Sequence, residues 1–294
     1  MLKQRIISGI LLASMVVVVA NYLPSPICWL LLLAITALAQ YEFYAMIDQA
    51  GMPVFRFVGM LGGAAVISST FWTIGPSARQ LAAGYCWENL ALLATLIFVF
   101  VRQFPQKHNE KPIITIAVTL LGVWYVAFLM NYFTRLAFAW RDAEFIHSVG
   151  ETGRMMILYL VAVVKISDVG AFFTGRQFGR HKLFPRLSPK KTWEGLAGGV
   201  LSSVAVSLLF YYLGDGRLGK VELGLLDAII LGLLLPIVAV TGDLFESLLK
   251  RAADIKDSGS LIPGMGGVLD VLDSLLFGAP VFYAYTILFL NNSF

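Results

Sequence analysis

GDLFESLLKRAADIKDSGSLIPGMGGVLDVLDS, residues 242–274, sets charge and glycine between two hydrophobic segments, one leading into it and one running on to Phe294. Asp243, Glu246, Lys250, Arg251, Asp254, Lys256, Asp257, Asp270 and Asp273 all fall within it. Charges at the rim of hydrocarbon are costly unless they are paired, hydrated or bound to a ligand. The stretch therefore reads as a catalytic or ion-binding site at a membrane face, between flanks that cross the bilayer.

Composition extends that reading to the whole chain. Of its 294 residues, 58% are hydrophobic and 14% charged, with a mean hydropathy of +0.78. A soluble domain is about 45–50% apolar and about 25% charged. The expected fold class is all-α, a polytopic integral membrane bundle of about nine transmembrane helices. The spans fall near 5–23, 27–47, 57–76, 84–103, 112–134, 155–175, 194–213, 222–246 and 270–290. The first reads as a retained span rather than a signal peptide, since no small-x-small cleavage site follows it before Pro24.

Orientation follows from the cations. With a cytoplasmic N-terminus and nine crossings, one side holds Lys3, Arg5, Arg56, Arg102, Lys107 and Lys111. It also holds all the Lys and Arg residues of the loops 176–193 and 247–269. The other side holds only Arg79, Arg135, Arg141, Arg154, Arg217 and Lys220, and Lys165 is left inside a span. This bias obeys the positive-inside rule and puts both polar loops on the cytoplasmic side, where nucleotides are.

Residues 1–140 read as a membrane scaffold and 141–294 as the catalytic region. Gly59, Gly62 and Gly63 permit close helix packing. Glu42 is an intramembrane acid near the cytoplasmic end of its span. It reads as a carboxylate hydrogen-bonded to a neighbouring helix, a functional role being the alternative. Residues 135–154 read as a solvated outer loop. Cys28, Cys86, His108, His147 and His181 form no ligand pattern, so neither a disulfide framework nor a zinc site is expected. No basic domain points to nucleic acid.

Chemistry concentrates in the second half. Lys165 and Asp168 are three apart and share a helix face. From Arg176 to Lys191 the chain is basic, and Thr192 is a candidate N-cap with Glu194 in the first turn. Lys190 and Lys191 beside that helix start suit an anion, lipid headgroups being the other reading. Asp243, Glu246 or Ser247, Lys250 and Asp254 share one face of a helix expected to end near Asp257-Ser258-Gly259. A tight loop at Pro263-Gly264 and Gly266-Gly267 follows, and the next helix carries Asp270, Asp273 and Ser274. Carboxylate oxygens suit Mg²⁺, and adjacent Lys and Arg suit phosphate, which reads as metal-assisted phosphoryl chemistry.

The run S-x-x-K-R-x4-K-D-x-G-x2-I-P-G-x-G-G-V-x-D-x-x-D, from Ser247 to Asp273, resembles the signature of the CDP-diacylglycerol synthases (phosphatidate cytidylyltransferases). Ser167-Asp168 and Ser188-Pro189-Lys190-Lys191-Thr192-Trp193-Glu194-Gly195 resemble a second block of that family. Met265 and Val271 depart from it, standing where the family usually has His and Arg. The resemblance implies transfer of CMP from CTP to phosphatidic acid with release of pyrophosphate. By position it implies that Asp243 and Asp270 hold Mg²⁺, with a second cation allowed and Asp273 nearby. Ser247, Lys250, Arg251, Lys190 and Lys191 would bind phosphates, and Asp168, Lys256 and Asp257 complete the substrate-binding set.

The closest alternative is a CTP-dependent lipid kinase, which would release CDP and need a base for its hydroxyl acceptor. An alternative of another class is an ion-coupled transporter using Lys165 and Asp168. The expected partners are CTP, phosphatidic acid and the lipid bilayer, with no nucleic acid, and glycine-rich spans allow a homodimer. The expected location is a bacterial inner membrane, with the active site facing the cytoplasm.

Overall fold

The computed structural model describes residues 2–74, 81–107, 109–140, 149–255 and 257–290. Nine long helices appear among the described residues. They are α1 Leu2–Tyr22, α2 Ser25–Gln49, α3 Arg56–Ile74, α4 Leu81–Gln103, α5 Pro112–Phe138, α6 Glu151–Phe178, α7 Trp193–Leu213, α8 Leu225–Ala252 and α9 Val268–Leu290. The helix α5 is π-helical over Val123–Phe128, and the last turns of α9 over Thr286–Leu290. Among the described residues, two small hairpins interrupt the helices: β1 Lys182–Phe184 with β2 Ser188–Thr192, and β3 Arg217–Leu218 with β4 Val221–Glu222.

Seven of the helices, α2, α3 and α5–α9, are by length and composition able to cross a membrane. Phe57, Leu61, Ile113, Leu201, Leu213 and Leu288 are each more than two-thirds exposed. Apolar side chains presented on so many helices are unfavourable in water and at home in lipid. The protein is an all-α polytopic membrane protein.

The chain divides into two compact units, Met1–Val149 with Lys250–Val271, and Gly150–Leu249 with Leu272–Phe294. In the first, α2, α3 and α5 meet through glycines. Tyr44 occupies the space that side chains at Gly59 and Gly122 would fill, and its hydroxyl donates to the Thr119 carbonyl at 2.9 Å. Gln40 reaches the carbonyls of Gly59 (3.2 Å) and Gly122 (3.3 Å). Without nearby water these carbonyls and amides need such partners. In the second unit, α6 and α7 are held close by small residues. Gly198 lies against Thr174, Gly170 against Ser202, and Gly199 against the Ser167 carbonyl. This small-residue contact lets two backbones approach where lipid offers no hydrophobic drive to association.

Arg135 departs from the expected solvated loop. It lies in α5, 5% exposed, and forms an ion pair with Glu88 of α4, itself 4% exposed. Asn131 donates to Thr70 (2.8 Å) in the same polar group. Arg154 likewise belongs to a helix, α6, which begins at Glu151 rather than near 155. The expected loop residues 141–148 and His108 lie outside the described residues. Breaking a buried ion pair strands a charge, whereas replacing both partners by apolar groups is close to neutral. Arg135→Met should therefore destabilise the first unit by roughly 3–5 kcal/mol, read as a lower thermal midpoint in detergent. The double variant Glu88→Met/Arg135→Met should recover most of that loss.

Candidate functional site

The second unit carries α6, the β1–β2 hairpin, α7, most of α8 and the later part of α9, with the expected residues Lys165, Asp168, Lys190, Lys191, Asp243, Ser247 and Asp273 among them. Thr192 leaves the hairpin with φ −130° and ψ 156° and caps α7, its hydroxyl accepting the Gly195 amide at 3.1 Å. Such a cap is worth about 1 kcal/mol. Glu194 turns back from the first turn to accept the amides of Arg180 (3.1 Å) and His181 (3.2 Å) and to meet His181 Nδ1 at 2.6 Å. The segment expected as loop 176–193 is thus the end of α6 followed by a pinned hairpin. Lys190 on β2 is exposed, and half-buried Lys191 forms an ion pair with Asp243 of α8.

Gly242 lets α8 approach α9 closely, since a side chain there would strike the Asp273 carbonyl and Phe277. Beside this contact, ligand oxygens of Asp243, Glu246 and Asp273 lie within 4.8 Å of one another. Glu246 is fully buried and Asp273 is 8% exposed. Ser247 lies within 3.5 Å of Asp243 Oδ1. The Lys165 ammonium donates to Ser274 Oγ (3.0 Å) and lies 3.7 Å from Asp168, whose carboxylate also meets Ser274 (3.5 Å). The expected Lys165–Asp168 pair forms, with Ser274 as a third member.

The first unit contains the expected site residues of Lys250–Val271. The helix α8 ends at Ala252, before the expected 257–259. Asp254 takes a left-handed backbone, φ 54°, its amide bonding the Arg251 carbonyl (3.2 Å), while Ile255 bonds the Lys250 carbonyl (2.9 Å). This is a Schellman ending with Asp in the place glycine usually fills. Asp254 therefore does not continue the face of Asp243 and Lys250. The expected tight loop is present: Met265 and Gly266 amides bond the Ile262 carbonyl, with φ 77° at Gly264 and 99° at Gly266. Pro263-Gly264 suits a type II turn, which needs positive φ at its third residue.

Asp270 is held from three sides. Lys250 Nζ donates to Oδ1 (2.7 Å), and the amides of Gly267 (2.7 Å) and Ser258 (3.0 Å) donate to Oδ2. Arg251 and Asp257 are exposed, and Lys256 lies outside the described residues. Glu246 and Glu42 fall outside the set that the motif singles out. For Glu246 the available signal is its spacing, three residues from Asp243 on one helix face; for Glu42 it is a lone acid in an apolar span.

Three carboxylates converging with only oxygen donors fit a hard divalent cation such as Mg²⁺. Lys191 beside them, on a capped hairpin, fits phosphate. The arrangement can stabilise charge on a phosphoryl group. Comparison with known proteins agrees. The model of the cytidylyltransferase family matches residues 3–289. A phosphatidate cytidylyltransferase of Haemophilus influenzae is 31% identical over 96% of this chain and 97% of its own length. Those of Bacillus subtilis (30%, 98% of each chain) and Chlamydia trachomatis (32%, 99% of this chain and 94% of the relative) are similar throughout. With the match running through both units and across the acidic motif, the chain belongs to the cytidylyltransferase family.

Proposed function

We propose that this protein transfers CMP from CTP to phosphatidic acid, forming CDP-diacylglycerol and pyrophosphate at the cytoplasmic face of a bacterial inner membrane. The observation that carries the reading is the convergence of Asp243, Glu246 and Asp273 beside Lys191, in a chain alike along its whole length to phosphatidate cytidylyltransferases. The family assignment sets aside the transporter alternative.

A phosphatidate oxygen attacks the α-phosphorus of CTP, the bond from that phosphorus to the bridging oxygen breaks, and pyrophosphate leaves with the electron pair. The nucleophile is already ionised at neutral pH, so the reaction needs no strong base. Met265, in place of a histidine, is compatible with that. The work left to the protein is positioning and charge neutralisation. Asp243, Glu246 and Asp273 would hold a divalent cation, which supplies neutralisation of phosphate oxygens. Asp270 is the other ligand assigned, on the strength of the motif. Lys191, ion-paired with Asp243, would place its ammonium on a phosphate beside the cation that the carboxylates would hold. Lys250 stands in the same relation to Asp270. Lys190, Arg251 and Ser247 complete the phosphate-binding set, with Asp168, Lys256 and Asp257 assigned to substrate binding by the motif.

The reading is tested with purified protein in detergent, labelled CTP, Mg²⁺ and phosphatidic acid. CDP-diacylglycerol with equimolar pyrophosphate is the expected product; CDP with a phosphorylated alcohol would instead identify a lipid kinase. Asp243→Asn should lower turnover by roughly 10²–10³-fold, the loss of several kcal/mol of transition-state stabilisation, with folding and membrane insertion unchanged. Near-normal turnover would remove Asp243 from the site. Met265→His and Val271→Arg should raise activity or leave it unchanged. Loss of activity in both would point to a different lipid acceptor.

A further inference from the structure

Glu42 lies in α2, more than 200 residues from the motif by chain distance, yet its carboxylate ends at the start of α9. Oε1 accepts the Val268 amide at 3.0 Å. Oε2 accepts the Leu269 amide at 2.8 Å and the Ser258 hydroxyl at 3.3 Å. The residue is 4% exposed.

A helix start leaves its first amides without partners, and the residue before the first turn usually supplies an oxygen from Ser, Thr, Asp or Asn. Gly267 occupies that position and has no side chain. The reason is steric: a Cβ there would run into the Glu42 carboxylate and the Ser258 hydroxyl, and a Cβ on Gly259 would also strike that carboxylate. Asp270 supplies the reciprocal half of a capping box, reaching back to the Gly267 amide at 2.7 Å. The box is therefore split. Its acidic half is local and its other half comes from α2.

Ser258 ties the halves together, donating its amide to Asp270 (3.0 Å) and its hydroxyl to Glu42. The Ser258 and Gly267 amides that hold Asp270 thus belong to a residue in contact with the Glu42 carboxylate and to one next in sequence to such a residue. The Glu42 carboxylate satisfies the two amides at the start of α9 and, through Ser258, holds the segment that aims Asp270.

We infer that Glu42 is a positioning residue for the nucleotidyl transfer, acting through Ser258 and the start of α9 to hold the Asp270 carboxylate in one orientation. The inference rests on the reading of Asp270 as part of the reaction centre.

The experiment compares wild type, Glu42→Ala, Glu42→Gln, Gly267→Ser and the double variant Glu42→Ala/Gly267→Ser, each purified in detergent. Turnover, KM for both substrates, thermal midpoint and hydrogen exchange across residues 258–270 are measured. Gly267 has no left-handed φ, so serine fits its backbone once the Glu42 carboxylate is gone and the Ser258 hydroxyl, also 2.5 Å from that Cβ and then without Glu42 to hold it, turns aside. The new side chain can then cap α9 locally. Glu42→Ala and Gly267→Ser should each lower kcat by roughly 10–100-fold, the scale of a misplaced catalytic group. KM should change little, and exchange across 258–270 should rise. The double variant should regain about tenfold in kcat over either single variant, with exchange slowed again. Glu42→Gln, with one acceptor oxygen for two amides, should fall the same way and serves if the alanine variant does not fold. Wild-type kcat in the folded Glu42 variants, or a double variant no better than the singles, overturns the inference. Absence of CDP-lipid from the wild type would instead overturn the proposed reaction, leaving exchange in 258–270 to report on the cap alone.

Discussion

A charge carried into apolar surroundings must find its partner within the protein, and that constraint organises both units. An unpartnered buried carboxylate costs several kcal/mol, more than most single contacts return. Glu88 meets Arg135, Asp270 meets Lys250 and two amides, and Glu42 meets the first amides of α9. The group of Asp243, Glu246 and Asp273 is different in kind, because it gathers like charges. Two ionised carboxylates with oxygens within 4.8 Å of each other repel by about 3 kcal/mol or more at an effective dielectric near 20. Lys191 pairs with Asp243 and offsets part of that repulsion, and a divalent cation held there, as proposed, would offset the rest.

Close backbone approach is the second requirement, and glycine supplies it where the acids need it. Gly242 admits the Asp273 carbonyl to the surface of α8, one residue before Asp243. The small faces of α6 and α7 bring the hairpin carrying Lys190 and Lys191 to a defined start of α7, where Thr192 and Glu194 fix it. Neither requirement is met by hydropathy alone. A bundle of leucine would cross a membrane equally well and present no site.

Much of this was legible beforehand, for identifiable reasons. Hydrophobic runs of span length mark helices directly, so the nine segments coincide with the nine long helices among the described residues to within a few positions. Cap and turn chemistry is local: Thr192 as N-cap, the Ile262–Gly266 turn and the Lys165–Asp168 pair all follow from spacing. What was not legible depends on tertiary partners. Arg135 follows a polar-looking boundary and is buried only because Glu88 of α4 receives it. The early end of α8 turns on an aspartate adopting a left-handed backbone, for which Asp is a weaker signal than Gly. The hairpin between α6 and α7 is too short, and too polar, to show a strand period.

The loop between α8 and α9 combines both requirements. The Lys250 carbonyl accepts the Ile255 amide, closing the helix end, while its ammonium reaches across twenty residues to Asp270. Ser8 of α1 donates to the Pro263 carbonyl at 2.8 Å at the far side of the loop. Fixed φ values at Asp254, Gly264 and Gly266 remove freedom that an open loop of this length would otherwise lose on binding substrate. If this loop contacts substrate as proposed, a segment so constrained would spend little of the substrate's binding energy on ordering itself. That energy is then available to the transition state, where a phosphoryl-transfer site with no covalent chemistry of its own needs it most.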